Sequence, residues 1–405
     1  MVRTLPVGLD QALKMTLEGV FPLPVERVEL LEGLNRVLAK DVSAKVDSPS
    51  IDASLKDGYA VISSQVDGAS KETPVRLELI GSMAAGGSDD LRVRPDTTVR
   101  ILTGAKIPQG ANAVVAEEFV VAENASVLVQ IDAEPGRNIL PKSSDVARGQ
   151  TVARRGTLLT PGLVGLLAAA GHSHVEVVRR PEVAIIATGD EVVAPGRPLP
   201  DGKLYASNIT TLGGWCRKYG LRTHLSVVKD DPEEIFGTLE RAVATFDAVV
   251  TSGGAWTGDR DLVAQTLKRL GWRQAFHRIR IGPGKAVGFG TLDSTPVFIL
   301  PGGPPSNLMG FLQIALPGLH RLSGFQQTGL PRANVRLAAE LTGRFADWTQ
   351  FIYGVLDRES SPAIFHRLDN RSRLRSMAEA EAIVAIPEGQ TVLPSGSLVS
   401  AQLLF

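Results

Sequence analysis

Glycine, serine, threonine and proline are concentrated in three short segments, each of which directly follows a run of apolar residues. The segments are Thr-Gly-Asp-Glu at 188–191, Thr-Ser-Gly-Gly at 251–254 and Pro-Gly-Gly-Pro-Pro-Ser at 301–306. Glycine allows a ligand to approach the backbone closely, and serine and threonine add hydroxyl donors. Ordinary turns also use these residue types, but three such segments predict a ligand site. Its candidate residues are Thr188, Gly189, Ser252, Gly253, Gly254, Pro301, Gly302 and Ser306.

A second feature is a cationic stretch that lacks acidic residues. Residues 262–292 contain six lysines and arginines but no aspartate or glutamate. Within it, Gly-Pro-Gly at 282–284 precedes Lys285, an arrangement that could hold an anion with backbone amides and an ammonium group. Lys268 and Arg269 are expected on a solvated helix surface, so Lys285 is the candidate functional cation.

Carboxylates accompany the same segments. Six acidic residues lie on or near them: Asp190, Glu191, Asp230, Asp231, Asp259 and Asp261. Bare acids beside an anion site would repel the anion, so their presence predicts a bridging Mg²⁺, which prefers oxygen ligands. Asp231 and Asp261 could equally cap helices. Glycine segments, cations and acids together predict a phosphorylated ligand with a divalent metal.

Familiar nucleotide and metal motifs are absent from the sequence. No Gly-x-Gly-x-x-Gly follows a predicted strand, and Lys285 is followed by Ala286 rather than by the serine or threonine of a phosphate-binding loop. His172 and His174 would share one face of a strand, but no further ligand lies near them in the sequence, which argues against a zinc site.

The three polar segments need a framework that brings them together. Strands are predicted at 183–188, 224–228, 247–251 and 297–300. Helices are predicted at 207–219, from 231 onward, at 261–270 and at 306–316. This alternation predicts a parallel sheet with crossover helices, and ligands bind beyond the carboxyl ends of such strands. Short β-branched runs between 75 and 131 predict a small β module before the sheet, and short runs after Gly324 predict another after it.

Composition excludes several classes of protein. The 405 residues are 43% hydrophobic, which suits three or four packed domains and argues against a disordered chain. Basic and acidic residues both number 43, so no net charge favours nucleic acid or a membrane surface. The single cysteine, Cys216, is expected to be a buried helix residue in a reducing compartment. No segment has the roughly 20 apolar residues that span a bilayer, so a cytoplasmic protein is expected.

Taken in order, the motifs resemble those of the MoeA family of molybdopterin molybdotransferases, to which the C-terminal domain of gephyrin also belongs. The motifs are Asp-Gly-Tyr-Ala-Val at 57–61, Ile-Leu-Thr-Gly-Ala at 101–105, Ala-Thr-Gly-Asp-Glu at 187–191, Asp-Asp-Pro at 230–232, Thr-Ser-Gly-Gly at 251–254, Pro-Gly-Lys at 283–285 and Leu-Pro-Gly at 300–302. Each motif alone is weak, but together in this order they indicate a common fold.

The resemblance implies a multidomain fold that combines α/β and β domains. An elongated N-terminal dimerisation domain would comprise residues 1–49 and 144–178, interrupted by an inserted β domain at 50–143. A molybdopterin-binding α/β domain with a parallel sheet core would follow at 179–327, and a β-barrel domain at 328–405. The family architecture further implies a homodimer.

The resemblance also implies a reaction, the insertion of molybdate into adenylylated molybdopterin with Mg²⁺ and release of AMP. The site would lie between the α/β domain of one subunit and the β domain of the other. Asp57 and Thr103 would be catalytic residues of the β domain, and Lys285 would be catalytic on the α/β side. The metal ligands that the resemblance implies are Asp190, Glu191, Asp230 and Asp261. The expected partners are a molybdopterin adenylyltransferase and the molybdoenzyme pathway.

Several positions depart from the family pattern. Gly282 and Tyr353 replace a lysine and an arginine of the molybdate pocket, and Trp256 and Gly303 replace a serine and an asparagine of the ligand loops. Losing two cations opposite a dianion would weaken molybdate binding. The candidate replacement cations are Lys56, Arg373 and Arg375. Two functions remain open: an active molybdotransferase, or a non-catalytic paralogue that binds molybdopterin or a related nucleotide as a carrier or storage protein.

Overall fold

A computed structural model describes residues 6–87, 90–254, 262–368 and 373–405. The chain divides into two compact units. The first comprises Met1–Glu26, Asn35–Ala39 and Glu176–Phe405, and the second comprises Arg27–Leu34 and Lys40–Val175. The finer four-domain division, with boundaries at 49/50, 143/144, 178/179 and 327/328, stays a prediction.

The helices and strands of the described residues are as follows. The helices are α1 Leu9–Glu18, α2 Pro161–Ala169, α3 Ser207–Lys218, α4 Pro232–Thr245, α5 Leu262–Arg269, α6 Pro304–Gly310, α7 Leu316–Leu322 and α8 Arg373–Glu379. The first strands are β1 Val25–Glu29, β2 Val42–Ser43, β3 Ala53–Ser54, β4 Gly58–Val61, β5 Val75–Met83, β6 Thr97–Ile101, β7 Ala113–Ala116, β8 Val120–Glu123, β9 Ser126–Val129, β10 Ile139–Leu140 and β11 Thr151–Ala153. The next are β12 His174–Val178, β13 Glu182–Thr188, β14 Val192–Val193, β15 Leu204–Tyr205, β16 Arg222–Val228, β17 Ala248–Ser252, β18 Arg273–His277, β19 Ile281–Gly282, β20 Gly288–Leu292 and β21 Thr295–Leu300. The last are β22 Arg332–Leu337, β23 Leu341–Thr342, β24 Thr349–Asp357, β25 Ile364–Arg367, β26 Ala382–Ile386, β27 Val392–Leu393 and β28 Leu398–Leu403.

The first unit contains a six-stranded sheet in the order β16-β13-β17-β21-β20-β18. β16, β13, β17 and β21 run parallel, and the register places Ala187 opposite Ser252 and Ser252 opposite Leu300. The four predicted strands and their parallel arrangement are therefore confirmed. β20 and β18 extend the sheet as antiparallel strands, which were not predicted because their polar and glycine residues interrupt any apolar run.

Side chains of the parallel strands alternate between two buried cores. Val183, Ile185 and Ala187 of β13 belong to the core that contains α3 residues. Ala184 and Ile186 belong to the core that contains residues of α4 and α5. Successive side chains of a strand point to opposite faces, so helices on both faces bury the whole strand. This is why the strand appears in the sequence as a continuous apolar run.

Two helices illustrate what local patterns do and do not predict. Asp231 caps α4, because its Oδ1 accepts hydrogen bonds from the N–H groups of Glu233 at 3.1 Å and Glu234 at 2.8 Å. The helix predicted to end at residue 316 instead continues through a π-helical turn, Phe311–Ala315, into α7. Pro317 lies in the first turn of α7. The N–H that proline lacks is not needed for an α-helical hydrogen bond at that position, so Pro317 does not end the helix.

The first unit also contains a closed barrel of five strands. Its strands pair in the order β24-β25-β22-β28-β26, and β26 pairs again with β24 to close it. The short strand β19 joins the barrel through parallel pairing with β24, so the segment that precedes Lys285 is attached to the barrel. The predicted C-terminal β-barrel is confirmed.

The second unit contains a six-stranded mixed sheet in the order β7-β4-β6-β5-β9-β8. Tyr59 and Val61 of β4 belong to one of its cores, and Ala60 between them belongs to another. The predicted β module is therefore present, and both faces of its sheet are covered.

Cys216 is buried on α3, as expected, and burial raises the pKa of its thiol to about 12. None of the helices in the described ranges combines the length and the apolar character needed to cross a membrane.

A reciprocal amide pair joins the π-helical turn to the barrel and predicts strong energetic coupling. Gln313 Nε2 donates to Gln402 Oε1 at 2.7 Å, and Gln402 Nε2 donates back to Gln313 Oε1 at 3.0 Å. Each single change, Gln313→Leu or Gln402→Leu, strands a buried amide and should lower the free energy of unfolding by about 1–3 kcal/mol. The double leucine variant should recover most of that loss in urea unfolding. Additive losses would contradict the prediction.

His320 predicts an acid-sensitive contribution to stability. It is buried, its Nδ1 donates to the Thr328 carbonyl at 2.7 Å, and burial lowers its pKa to about 4. The unfolded chain binds a proton near pH 6.5, whereas the folded chain does not until about pH 4. The free energy of unfolding should therefore fall by about 3 kcal/mol on this account as pH falls through that window. His320→Gln should show a shallower pH dependence of unfolding between pH 6.5 and 4; an unchanged slope would contradict the assignment.

Candidate functional site

The loops that follow β13, β17 and β21 meet at the carboxyl ends of the parallel strands and line a cavity of about 970 Å³. This volume is within the range of ligand pockets, about 300–1,000 Å³. The predicted ligand residues that line it are Thr188, Gly189, Ser252, Gly253, Gly254 and Gly302. Pro301 and Ser306 lie beside the cavity loops but do not line it. Their shared role as ligand contacts stays a prediction.

Two glycines are required where the β17 loop crosses the end of β13. Gly253 and Gly254 have φ angles of +104° and +67°, in the left-handed region. A Cβ on Gly253 would lie 2.4 Å from the Thr188 carbonyl oxygen, and one on Gly254 would lie 2.5 Å from Val263 Cγ2. The loop backbone can therefore follow this close path only with glycine at both positions.

Two asparagines, which the sequence did not single out, bind Ser252 at the base of the cavity. Asn307 Nδ2 lies 3.0 Å from Ser252 Oγ and 2.9 Å from the Pro301 carbonyl oxygen. Asn208 Nδ2 lies 3.3 Å from Ser252 Oγ and 2.8 Å from the Gly302 carbonyl oxygen. Asn208 lies in the first turn of α3 and Asn307 lies in α6, so the network connects both helices to the ends of β17 and β21.

Acidic side chains occupy the β13 and β16 side of the cavity. Glu191 and Asp230 line it, and the Asp230 N–H donates to Asp190 Oδ1 at 3.3 Å. Burial, together with the negative charges of Asp190 and Glu191, raises the pKa of Asp230. In the described ranges, no three acidic, histidine or cysteine side chains form a group that could hold a metal ion. The fourth predicted ligand, Asp261, lies outside the described residues, as does Trp256.

Among the described residues, the cations that line the cavity are Lys203 and Arg373. Lys203 Nζ donates to the Asp190 carbonyl at 2.8 Å, and Arg373 lies at the start of α8, beyond the barrel strand β25. Of the proposed replacement cations, Arg373 is thus at the cavity. Arg375 instead pairs with Glu379 at 3.4 Å, and Lys56 is exposed in the second unit.

Exposed apolar side chains form another wall of the cavity. Leu199, Leu204 and Tyr205 all line it, although they are 45%, 63% and 44% exposed. Tyr205 is held by a hydrogen bond from its hydroxyl to the Arg197 carbonyl at 3.1 Å. Exposed apolar side chains that cluster at a cleft are typical of ligand contact surfaces. The cavity therefore offers an apolar wall beside a polar base with two cations.

Lys285 is exposed and does not line this cavity. The loop that carries it packs beside α6, because a Cβ on Gly284 would lie 3.2 Å from the Ser306 carbonyl oxygen. The backbone just before Lys285 therefore packs against the backbone of Ser306, and neither Lys285 nor Ser306 lines the cavity.

In the second unit, the two predicted catalytic residues meet. Thr103 donates to Asp57 Oδ1 through its hydroxyl at 2.6 Å and through its backbone N–H at 2.7 Å. These hydrogen bonds lower the pKa of Asp57. Asp57 is exposed, so it presents an ionised carboxylate in a fixed orientation at the surface.

The combination of this α/β site with a β unit and a barrel has close counterparts. Residues 7–171 match the family model described as MoeA N-terminal region (domain I and II), and residues 184–321 match a probable molybdopterin binding domain. Molybdopterin molybdenumtransferase 2 of Mycobacterium tuberculosis is 33% identical over 376 residues, which cover 91% of this chain and 93% of that protein. This chain belongs to the molybdopterin molybdenumtransferase family. The family resemblance inferred from the motifs is confirmed, and with it a transferase role in molybdenum cofactor biosynthesis.

Membership of the family extends over the barrel as well. The molybdopterin molybdenumtransferase of Bacillus subtilis is 30% identical over 412 residues, which cover 98% of this chain and 94% of that protein. A crystal structure of the molybdopterin biosynthesis protein moeA from Pyrococcus horikoshii superposes with a TM-score of 0.84 at 29% identity, covering 99% of this chain and 100% of that chain. The predicted fold class, which combines α/β and β domains, is confirmed.

The glycine loop predicts opposite effects of alanine at two glycines of the first unit. Gly254→Ala should lower the free energy of unfolding by about 2–4 kcal/mol, because it adds left-handed strain and a clash with Val263. Gly214→Ala is the matched control: no atom lies within 4 Å of its Cβ position in α3, so it should raise that free energy by up to about 1 kcal/mol. Equal effects in urea unfolding would contradict this account.

Proposed function

We propose that this chain inserts molybdate into adenylylated molybdopterin, with Mg²⁺, and releases AMP. The observation that supports it best is the cavity at the carboxyl ends of the parallel strands, because all its lining residues except Arg373 and Leu374 lie in the segment that matches a probable molybdopterin binding domain. The relatives' names describe molybdenum transfer to molybdopterin, and this cavity is large enough to hold a pterin with a phosphorylated side chain.

The proposed substrate matches the three walls of the cavity. Its phosphates would lie against the glycine loops, where backbone approach is close, with the ammonium of Lys203 and the guanidinium of Arg373 nearby. Its flat pterin would lie against Leu204 and Tyr205. In the reaction, a water oxygen bonds to the adenylyl phosphorus while the anhydride bond breaks, so AMP is released and the molybdopterin phosphate is the leaving group. The two dithiolene thiols of the pterin bind molybdenum and give up their protons, and one molybdate oxygen leaves as water. Fixed cations at this point stabilise the charge that develops on the phosphoryl oxygens.

Mg²⁺ would be held by oxygen ligands on the acidic side of the cavity. Asp190, Glu191 and Asp230 carry the hard carboxylate oxygens that Mg²⁺ prefers, and the family resemblance adds Asp261, which lies outside the described residues. Burial is the main cause of the raised pKa of Asp230, and the negative charges of Asp190 and Glu191, which a cation would relieve, add to it. Mg²⁺ held there would supply positive charge that offsets the negative charge of the substrate phosphates.

Asp57 and Thr103 are proposed to act on the same substrate from a second subunit, in a homodimer. Thr103 keeps the Asp57 carboxylate ionised and oriented, as positioning a metal or a nucleophile requires. Lys285 is proposed to bind molybdate near Ser306. We place the protein in the cytoplasm, supplied with substrate by a molybdopterin adenylyltransferase and serving the molybdoenzyme pathway.

Release of AMP from adenylylated molybdopterin tests this function. With Mg²⁺ and molybdate, the wild-type protein should release AMP, and Asp57→Asn should lower the rate by about 100-fold because the carboxylate is lost. Asp47→Asn is the matched control, since Asp47 is also an aspartate of the second unit with a lowered pKa that accepts a backbone hydrogen bond, from Arg148 at 2.8 Å. It should retain the parent rate.

Two outcomes of the same assay would count against the proposal. Binding of adenylylated molybdopterin without AMP release would support the non-catalytic carrier instead. An equal loss of rate in Asp57→Asn and Asp47→Asn would remove the role assigned to Asp57, because it would reflect general damage to the second unit.

A further inference from the structure

The amide orientations at the base of the cavity are determined by their carbonyl partners. A carbonyl oxygen only accepts hydrogen bonds, so the atom of Asn307 that lies 2.9 Å from the Pro301 oxygen must be the amide nitrogen. The same reasoning assigns the atom of Asn208 that lies 2.8 Å from the Gly302 oxygen. Each of these nitrogens also contacts Ser252 Oγ, at 3.0 and 3.3 Å. Ser252 Oγ therefore accepts two N–H donors.

Two accepted hydrogen bonds leave the Ser252 hydroxyl with a single remaining function. A serine hydroxyl has two lone pairs and one hydrogen, and here both lone pairs face amide donors. Its hydrogen must then point in the remaining direction. Ser252 is 4% exposed, and it lines the cavity. The hydroxyl can therefore donate to a ligand but not accept from one.

We propose that Asn307 and Asn208 are positioning residues that make Ser252 a dedicated hydrogen-bond donor to a phosphate oxygen of the pterin substrate. This inference rests on the proposed function and deepens it, because it specifies which atoms of the substrate Ser252 recognises. A phosphate oxygen is an acceptor only, so it matches a hydroxyl that can only donate. Lys203 and Arg373, which line the same cavity, favour an anionic acceptor over a neutral one.

The asparagines also remove a repulsion that an anion would meet at this loop. The Pro301 and Gly302 carbonyl oxygens carry partial negative charge next to the cavity, and each is bound by an amide N–H. The family motif has asparagine at position 303, but this chain has glycine there. No atom lies within 4 Å of the Gly303 Cβ position, and glycine has no side chain that could hydrogen-bond to the loop. Asn307, four residues further on and 1% exposed, supplies an amide to this loop from within the helix.

A double-mutant cycle on molybdopterin binding tests the proposal. Ser252→Ala and Asn307→Leu should each weaken binding by about 10-fold to 100-fold, the effect of one hydrogen bond to a charged group. The double variant should bind no more weakly than Ser252→Ala alone, because Asn307 would act through the serine hydrogen. Asn208→Ala, which removes a less buried amide, should give the same cycle if Asn307→Leu fails to fold.

Controls separate this inference from the function on which it rests. Asn334→Leu makes the same change at an exposed barrel-strand residue that does not line the cavity, and it should bind like the wild type. If the wild type binds molybdopterin but the losses in the double variant multiply, Asn307 does not act through Ser252 and the inference is wrong while the function stands. If the wild type does not bind molybdopterin, the proposed function and this inference are both overturned.

A pterin that lacks the phosphate is a second probe. It should bind equally well to the wild type and to Ser252→Ala. If Ser252→Ala weakens binding of this probe as much as it weakens binding of molybdopterin, the inference is overturned.

Discussion

Parallel pairing of β13 with β17 and of β17 with β21 is the constraint on which the cavity depends. The register places Ala187 opposite Ser252 and Ser252 opposite Leu300, so three strands end at the same level. Neighbouring strands lie about 4.8 Å apart, so their loops are held within about 10 Å of one another without any contact of their own. The two cores on the faces of the sheet stabilise that register, because a shift by one residue would exchange every buried side chain.

Within this framework, glycine and asparagine perform complementary tasks. Gly253 and Gly254 let the β17 loop pass close to Thr188, where any side chain would clash. Glycine-rich loops have backbone carbonyl groups that need hydrogen-bond donors. Here the donors are side chains of neighbouring helices. Asn208 from α3 and Asn307 from α6 bind the Gly302 and Pro301 carbonyls, respectively. The polar base of the cavity thus depends on rigid elements rather than on the flexible loops themselves.

Local signals predicted the parts of this structure that local physics controls. The apolar run of β13 and the cap at Asp231 were both recognisable, since burial on two faces and capping each leave a short pattern. Closure of the barrel was anticipated only from the family resemblance, because it depends on pairing of β24 with β26 across a long sequence separation. Asn307 gave no signal at all: one asparagine within a helical pattern is ordinary, and its partner Ser252 lies 55 residues earlier.

The departures from the family motif have a common physical consequence. Tyr353 is buried in the hydrophobic core, and burial raises its pKa, so it is a neutral group where the family has an arginine. Gly282 has no side chain where the family has a lysine, and the described atoms within 4 Å of its Cβ position belong to Gln350 and Trp348, neither of them a cation. The cations that line a cavity are instead Lys203 and Arg373, on the α/β side and at the start of α8. Arg373 comes from the segment between β25 and β26 of the barrel, so the barrel still contributes positive charge to the site, but beside the glycine loops rather than beside Lys285. In the proposed function, these cations would therefore act on the substrate phosphates more strongly than on molybdate at Lys285, since the attraction between charges falls with distance.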